Sequence, residues 1–459
     1  MSNFQIISPV DGTVYQERPY ANGEEIASAL SAAEKARIPW KNTSIQDRAK
    51  ICKGVVEYFQ ANASEIAEEI TWQMGRPIRY TPFEITGGFK ERAAFMINSA
   101  KDALSDIPVP ATDGFKKFIR KEPVGPVLVL SPWNYPYLTA VNAVIPAVMA
   151  GNPVILKHAD QTALCAERFK AAFDSAGAPE GLFNFLHLQH SQIPAIIQDE
   201  RIKGVFFTGS VAGGKAVKQA AEGKFINMGF ELGGKDPAYV AEDANLSNAI
   251  ENLVDGAFFN SGQSCCGIER IYVHEKSYDD FVDGFVKLTN SYVVGDPLDK
   301  FTTLGPMVRV AAAERANHQM EQAIKQGAKN LIAPNQFESR AFPYLNPAVM
   351  INVNHNMELM KEESFAPLIG IMPVSSDEEA IALMNDSQYG LTASIWTTDH
   401  ERAISAGDQV DTGTWFMNRC DYLDPSLAWT GVKNSGNGCT LSTLGYDHMT
   451  RPKSFHLKN

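Results

Sequence analysis

A cysteine, a glutamate and an asparagine carry the chemistry that this sequence suggests. Cys265 ends the run Asn260-Ser261-Gly262-Gln263-Ser264-Cys265 and is followed by Cys266. A cysteine behind a glycine-containing loop can sit at an exposed turn, where backbone N–H groups face the sulfur and favour the nucleophilic thiolate. Taken alone, the segment reads equally well as two buried thiols, because most lone cysteines act as small hydrophobes. Glu231 follows an apolar run and precedes Gly233 and Gly234. That puts a carboxylate at the C-terminal edge of a sheet, where glycines permit close approach. Partial burial would raise its pKa and suit it to general-base work; an exposed turn carboxylate is the competing reading. Asn134 lies in Ser131-Pro132-Trp133-Asn134-Tyr135-Pro136, between a strand and a helix. Its amide could donate to a developing oxyanion, although an Asn/Pro turn accounts for the segment by itself.

Two more strand ends suit a dinucleotide. Thr208-Gly209-Ser210 closes one strand and opens a helix. Ser210 is a natural N-cap, and the free N–H groups behind it can meet a pyrophosphate. Lys157 and Asp160 stand just beyond another strand, placed to hold an adenosine ribose by its hydroxyls. The G-x-G-x-x-G fingerprint is absent after the corresponding strands, which argues against a standard Rossmann turn.

The elements that must position these groups follow from periodicity. Residues 24–105 read as helical, with apolar residues three and four apart over 24–37 and 45–62. From residue 124 short apolar runs alternate with helical stretches: strands at 124–130, 154–156, 182–186, 205–207, 225–230 and 238–240, helices at 139–149, 162–175, 191–199 and 211–222. Strands apolar throughout, separated by helices, predict a parallel sheet covered on both faces. Such sheets bind ligands beyond the C-terminal ends of their strands. The alternation restarts with strands at 270–273, 348–352, 367–373, 392–397 and 413–417, and helices at 277–289, 310–327, 378–385 and 400–409, giving a second α/β unit. Residues 454–457 suit an edge strand.

In this order and spacing the segments resemble the aldehyde dehydrogenase superfamily, non-acylating type, over essentially the whole chain. The resemblance continues in Glu362-Glu363-Ser364-Phe365-Ala366-Pro367, Tyr389-Gly390-Leu391-Thr392-Ala393, Gly413-Thr414-Trp415-Phe416-Met417-Asn418 and Lys433-Asn434-Ser435-Gly436-Asn437-Gly438. It implies an α/β fold with a Rossmann-like NAD(P)-binding domain (1–103 and 122–232), a catalytic α/β domain (233–440) and a small oligomerisation element (104–121 and 441–459). It implies Cys265 as nucleophile, Glu231 as base, and Asn134 with the Cys265 N–H as oxyanion hole. Ser131, Pro132, Trp133, Lys157, Asp160, Thr208, Gly209, Ser210, Gly233, Glu363 and Phe365 would meet the cofactor. The product would be the carboxylic acid, released from a Cys265 thioester by water.

Departures from the family pattern bear on specificity. Asp160 stands where many members have glutamate; it should still repel a 2′-phosphate, so NAD+ is expected over NADP+. Ala366 replaces a glycine, Thr440 replaces a glutamate that some members carry, and Asn142 with Ala143 replaces a common Trp-Lys. The substrate tunnel would be lined by Tyr135, Thr139, Asn142, Ser264, Cys266, Tyr422 and Trp429, a set suited to a small aldehyde of polar or aromatic character. Arg419 could meet the carboxylate of a semialdehyde; pairing with Asp421 or Asp424 is the weightier reading.

Composition narrows the function classes. A net charge of −12 offers no basic footprint for nucleic acid. No apolar run approaches the length of a membrane span, and the first residues lack the features of a signal peptide. Six cysteines without C-x-x-C spacing predict neither a disulfide scaffold nor a metal site. A cytoplasmic homodimer or homotetramer acting on a small-molecule aldehyde is the expectation. The competing classes are an acyl-transferring relative, which Glu231 argues against, and a non-catalytic protein of the same fold.

Overall fold

The computed structural model describes residues 2–341 and 343–459. Its two large sheets arise where the apolar runs were longest. In the first, Val127–Ser131, Val154–His158 and the first three residues of Gly204–Thr208 are buried on both faces, which is why they read as continuous rather than alternating hydrophobicity. The six-stranded order is Gly436–Asn437, Asn227–Glu231, Gly204–Thr208, Val127–Ser131, Val154–His158, Phe183–Phe185. Five strands are parallel; Gly436–Asn437 alone runs antiparallel. The chain enters at Val127–Ser131, builds outward to Phe183–Phe185, then returns to Gly204–Thr208 on the other side. The switch point therefore lies between Ser131 and Thr208, where an open sheet leaves a crevice for ligands.

The second sheet has the order Lys329–Asn330, Ala348–Ile351, Leu368–Val374, Ile268–His274, Asp236–Val240, Thr392–Trp396, Thr414–Met417. It is parallel except for the Lys329–Asn330 edge. A third, antiparallel sheet joins Thr450–Lys458 to Phe115–Pro123 and Ile107–Pro108. Phe118 stacks on Phe455 there, with ring centroids 4.5 Å apart. The predicted edge strand at 454–457 thus lies in the C-terminal half of a nine-residue strand at the edge of this sheet.

Helices begin where polar caps allow. Asn22 forms a capping box with Glu25 on Gly23–Lys41, Ser44 caps Ile45–Ala61, and Ser210 caps Val211–Ala220. Gly151, at φ 103°, ends Pro136–Ala150. That helix is buried nearly all round and forms the centre of the largest core cluster.

Several predicted bounds move. The helix placed at 191–199 is a short turn, His190–Gln192, followed by Ile193–Gln198. The stretch 24–105 is helical but not uniform: it contains a π-helical segment, Glu84–Phe89. The hairpin Asn3–Ile7 with Val14–Pro19 has no counterpart in the sequence reading. Among the described residues no helix is long and apolar enough to cross a membrane, and no cluster of metal-ligating side chains occurs.

Candidate active site

The candidate residues gather where the two large sheets face each other in opposite senses. Ser131, His158, Thr208 and Glu231 end strands of the first sheet. Gly234, Cys265 and Phe365 each lie just ahead of a strand of the second sheet. The C-terminal edge of one sheet thus meets the N-terminal edge of the other.

The loop before Cys265 has an unusual backbone. Asn260, Ser261 and Gly262 all take left-handed φ, at 54°, 56° and 68°. Only the glycine does so without cost. A Cβ at Gly262 would also run into the Ala366 carbonyl. Side-chain bonds hold the strained turn: Ser261 Oγ donates to Gly305 O (2.8 Å), and Gln263 Oε1 accepts from Val308 N (2.8 Å). Cys265 follows, half-buried. Cys266 is buried, and its thiol donates to Asp421 Oδ1 at 2.9 Å. The neighbouring Cys265 and then burial push the Cys266 thiol up, so Cys266 is held as a thiol.

Asn134 is buried beside this loop, its Nδ2 donating to Gln263 O at 3.3 Å. Its support escaped the sequence reading. Arg76, fully buried, donates from Nε to Asn260 Oδ1, from Nη2 to Asn134 O, and from Nη1 to Glu84. Glu84 Oε1 in turn accepts from the N–H groups of Tyr137 (2.7 Å) and Leu138 (3.2 Å), capping the helix Pro136–Ala150 from outside. One buried ion pair thus ties the helix start, Asn134 and the cysteine loop together. Nothing about Arg76 or Glu84 stands out in the sequence, because each acts across dozens of residues.

Glu231 is held by two hydroxyls: Thr440 Oγ1 on Oε1 and Thr208 Oγ1 on Oε2, the latter at 3.2 Å. Burial raises its carboxyl above the ordinary value, against the lowering effect of the threonines and of the Arg92 charge. Thr440 reaches it because Gly436–Asn437 pairs with the Glu231 strand. Glu231 lines a cavity of about 20 Å³ with Thr139, Asn142, Thr208 and Thr440, room for one water.

Residues 1–455 match the Aldehyde dehydrogenase family. The chain belongs to that family. It is 32% identical over 445 residues to the succinate semialdehyde dehydrogenase [NAD(P)+] Sad of Escherichia coli K12, covering 96% of this chain and 94% of that protein. It is 32% identical over 456 residues to the NADP(+)-dependent D-glyceraldehyde dehydrogenase of Thermoplasma acidophilum, covering 98% and 92%. The succinic semialdehyde dehydrogenase of Streptococcus pyogenes, solved with NADP+, superposes with a TM-score of 0.94 at 28% identity, covering 99% of this chain and all of that one. The protein is therefore an NAD(P)-dependent aldehyde dehydrogenase.

The residues fit the dinucleotide that the family implies. Lys157 Nζ and Asp160 Oδ1 stand 3.0 Å apart beyond the first sheet, a donor and an acceptor for a diol. Ser210 caps a ten-residue helix whose N-terminus faces the switch point. Gly233 has no Cβ where one would strike the Glu363 carboxylate, and Glu363 accepts from Gly234 N–H at 3.1 Å. Burial and then Glu269 push the Glu363 carboxyl up to about 7. Phe365, at φ 51°, meets Trp133 edge-on with centroids 5.7 Å apart. The loop carrying Glu363 and Phe365 is pinned by a group the sequence reading missed. Glu269 accepts from Ser364 N (2.8 Å) and Phe365 N (2.9 Å) and pairs with the buried Lys235.

On the other side of Cys265, Trp429 packs with Cys266, Leu391 and Leu441. Ser264 Oγ donates to Asp421 at 3.0 Å, and Tyr135 lies under the Arg76 guanidinium. Asn142 and Thr139 border the Glu231 cavity. Tyr422 OH donates to Glu91 at 2.9 Å. Arg419 is exposed and stacks on the Tyr422 ring at 3.6 Å. Neither predicted ion pair, with Asp421 or Asp424, forms among the described residues: the aromatic face takes the guanidinium instead.

Proposed function

We propose that Cys265 is the nucleophile of aldehyde oxidation and Glu231 the base that releases the acid. Cys265 Sγ adds to the aldehyde carbon, and Asn134 Nδ2 with the Cys265 N–H receives the oxyanion. Bound NAD(P)+ supplies the two-electron acceptor that turns this adduct into a thioester. Glu231 then takes a proton from water; the water oxygen bonds to the acyl carbon, the C–S bond breaks, and the sulfur leaves as thiolate. The observation that carries this reading is the placement of Glu231: a sheltered carboxyl, raised by burial and held by two hydroxyls, in a cavity sized for one water. An acyl transferase would not need that base.

Ser131, Pro132, Trp133, Thr208, Gly209 and Ser210 border the pyrophosphate and nicotinamide in this reading. Lys157 and Asp160 take the adenosine ribose, and Gly233, Glu363 and Phe365 take the nicotinamide ribose and ring. Asp160 favours NAD+ over NADP+, whereas the relatives above are named for NAD(P)+ and for NADP(+). In this reading 1–103 with 122–232 bind the cofactor, 233–440 are catalytic, and 104–121 with 441–459 are the assembly element of a homodimer or homotetramer. The exposed face of the third sheet supports that role. The substrate is a small aldehyde with a polar end, as several relatives' names suggest.

The test is reduction of the nicotinamide, followed by absorbance, over a panel of aldehydes with NAD+ and NADP+, with Cys265→Ala beside the wild type. Activity on one aldehyde class that the substitution abolishes supports the reading. Activity that survives in Cys265→Ala places the nucleophile elsewhere.

A further inference from the structure

Among the described residues, Arg48, Arg76, Arg92 and Arg270 are buried, and all but Arg92, beside the active site, have both terminal guanidinium nitrogens hydrogen-bonded. Arg18, Arg120, Arg168, Arg201 and Arg402 each turn the same edge of the guanidinium, Nε with Nη2, onto a carboxylate. That edge matches a carboxylate in a two-point fork. Arg92, on the helix Lys90–Ala103 and 8% exposed, turns it onto nothing. Its Nη1 is anchored to Leu138 O at 2.9 Å and Asn142 Oδ1 at 3.4 Å. Its Nε is buried without a partner, and Nη2 makes no hydrogen bond among the described residues. Arg48 shows that a buried Nε alone means little: both its terminal nitrogens are spent on carbonyls, which makes it a structural brace.

Arg92 differs in surroundings as well. Its partner Asn142 lines the Glu231 cavity, and its charge lowers the Glu231 and Asp421 carboxyls. Neither carboxyl lies within ion-pair distance of it. A buried cation with no counter-ion is costly unless a ligand supplies the charge.

We propose that Arg92 receives the carboxylate of the substrate, so that the enzyme acts on an aldehyde whose far end is a carboxylate, an oxo acid. This rests on the aldehyde-oxidation reading above and assigns the recognition to the helix Lys90–Ala103 rather than to Arg419. Nη1 stays anchored while the open edge forks onto the incoming carboxylate, which also fixes the aldehyde end relative to Cys265. Asp421 Oδ1 is already shared by Ser264 and Cys266.

The wild-type enzyme alone can test this. kcat/KM is measured for 4-oxobutanoate, its methyl ester, butanal and 4-aminobutanal. The expected order puts the oxo acid first, with a loss of about 100-fold when the carboxylate is masked or absent, and the amine last. If the amine leads, Asp421 sets the specificity and the proposal falls. If ester and acid are equal, it falls too. Arg92→Gln should lose about 100-fold more on the oxo acid than on butanal, with the extra loss mostly in KM. Arg92→Lys, which keeps the charge without the fork, should fall between. Equal losses on both aldehydes would make Arg92 a structural residue. Silence of the wild type on every aldehyde would instead sink the oxidation reading, a distinguishable outcome.

Discussion

The two flanks of Cys265 are built differently. On the cofactor flank each buried lysine has a close carboxylate: Lys157 with Asp160 and Lys235 with Glu269. On the substrate flank Arg92 and Asp421 are both sheltered, yet neither has an ion-pair partner. Burial raises the Asp421 carboxyl to about 6. Unpaired charge is expensive in a protein interior. The difference teaches where specificity is stored: the cofactor flank is complete as it folds, while the substrate flank is completed by what enters it.

The base between the flanks gives the largest expected effect. Glu231→Gln keeps the volume and the threonine contacts but cannot take a proton. Turnover should fall by about 10²–10⁴, while one equivalent of reduced nicotinamide still forms in the first turnover. Stopped-flow absorbance separates the two. Loss of that burst would mean that Glu231 also serves Cys265, and the flanks would not be separable.

Both flanks share one support, the Arg76–Glu84 pair. Arg76→Met leaves a buried carboxylate without its cation, which typically costs about 3–5 kcal/mol. The Tyr137 and Leu138 N–H groups still hold Glu84, so the lower end is expected in denaturant unfolding. Adding Glu84→Gln should recover part of it. An Arg76→Met protein as stable as the wild type would remove the pair from the account of how Asn134 is positioned.

The sequence made the cofactor flank more legible than the substrate flank, for a physical reason. Lys157 and Asp160, or Gly233 and Gly234, sit at strand ends within a few residues of one another, so local spacing announces them. The rule that ligands lie beyond C-terminal strand ends found Ser131, Thr208 and Glu231. It could not find the approach of Cys265 and Phe365, which precede their strands in the second sheet. Arg92, Asp421 and Trp429 come from three segments that meet only after folding, and Arg92 sits in a helix whose pattern reads as ordinary amphipathic surface. Arg419 was the more visible arginine because it neighbours Asp421 in sequence, and the fold turns it outward onto Tyr422.

The threonine clamp offers a finer test. The Thr440 and Thr208 hydroxyls favour ionised Glu231 and lower a carboxyl that burial has raised. Thr440→Val removes one such bond and should raise that carboxyl further. The base works ionised, so the acid-side limb of the deacylation profile should move to higher pH. At the net worth of one hydrogen bond the move is up to about one pH unit. A limb that stays or moves to lower pH would show that Thr440 does not tune the base.

The smallest expected effect lies at the far end of the cofactor flank. Tyr20 OH donates to Asp160 Oδ2 at 2.7 Å, while Lys157 holds Oδ1. Burial, then the bond to Asp160, pushes the Tyr20 phenol up to about 12, so at neutral pH it remains a donor. It draws off part of the charge that should repel a 2′-phosphate. Tyr20→Phe frees Oδ2 to accept from a 2′-hydroxyl and leaves the carboxylate less compensated. The ratio of NADP+ to NAD+ dissociation constants, measured by calorimetry, should rise by about fivefold, the worth of one partly exposed hydrogen bond. A ratio that falls would mean that Tyr20 holds Asp160 in the position that excludes the phosphate, and that even the flank whose lysines are already paired is tuned from the N-terminal hairpin.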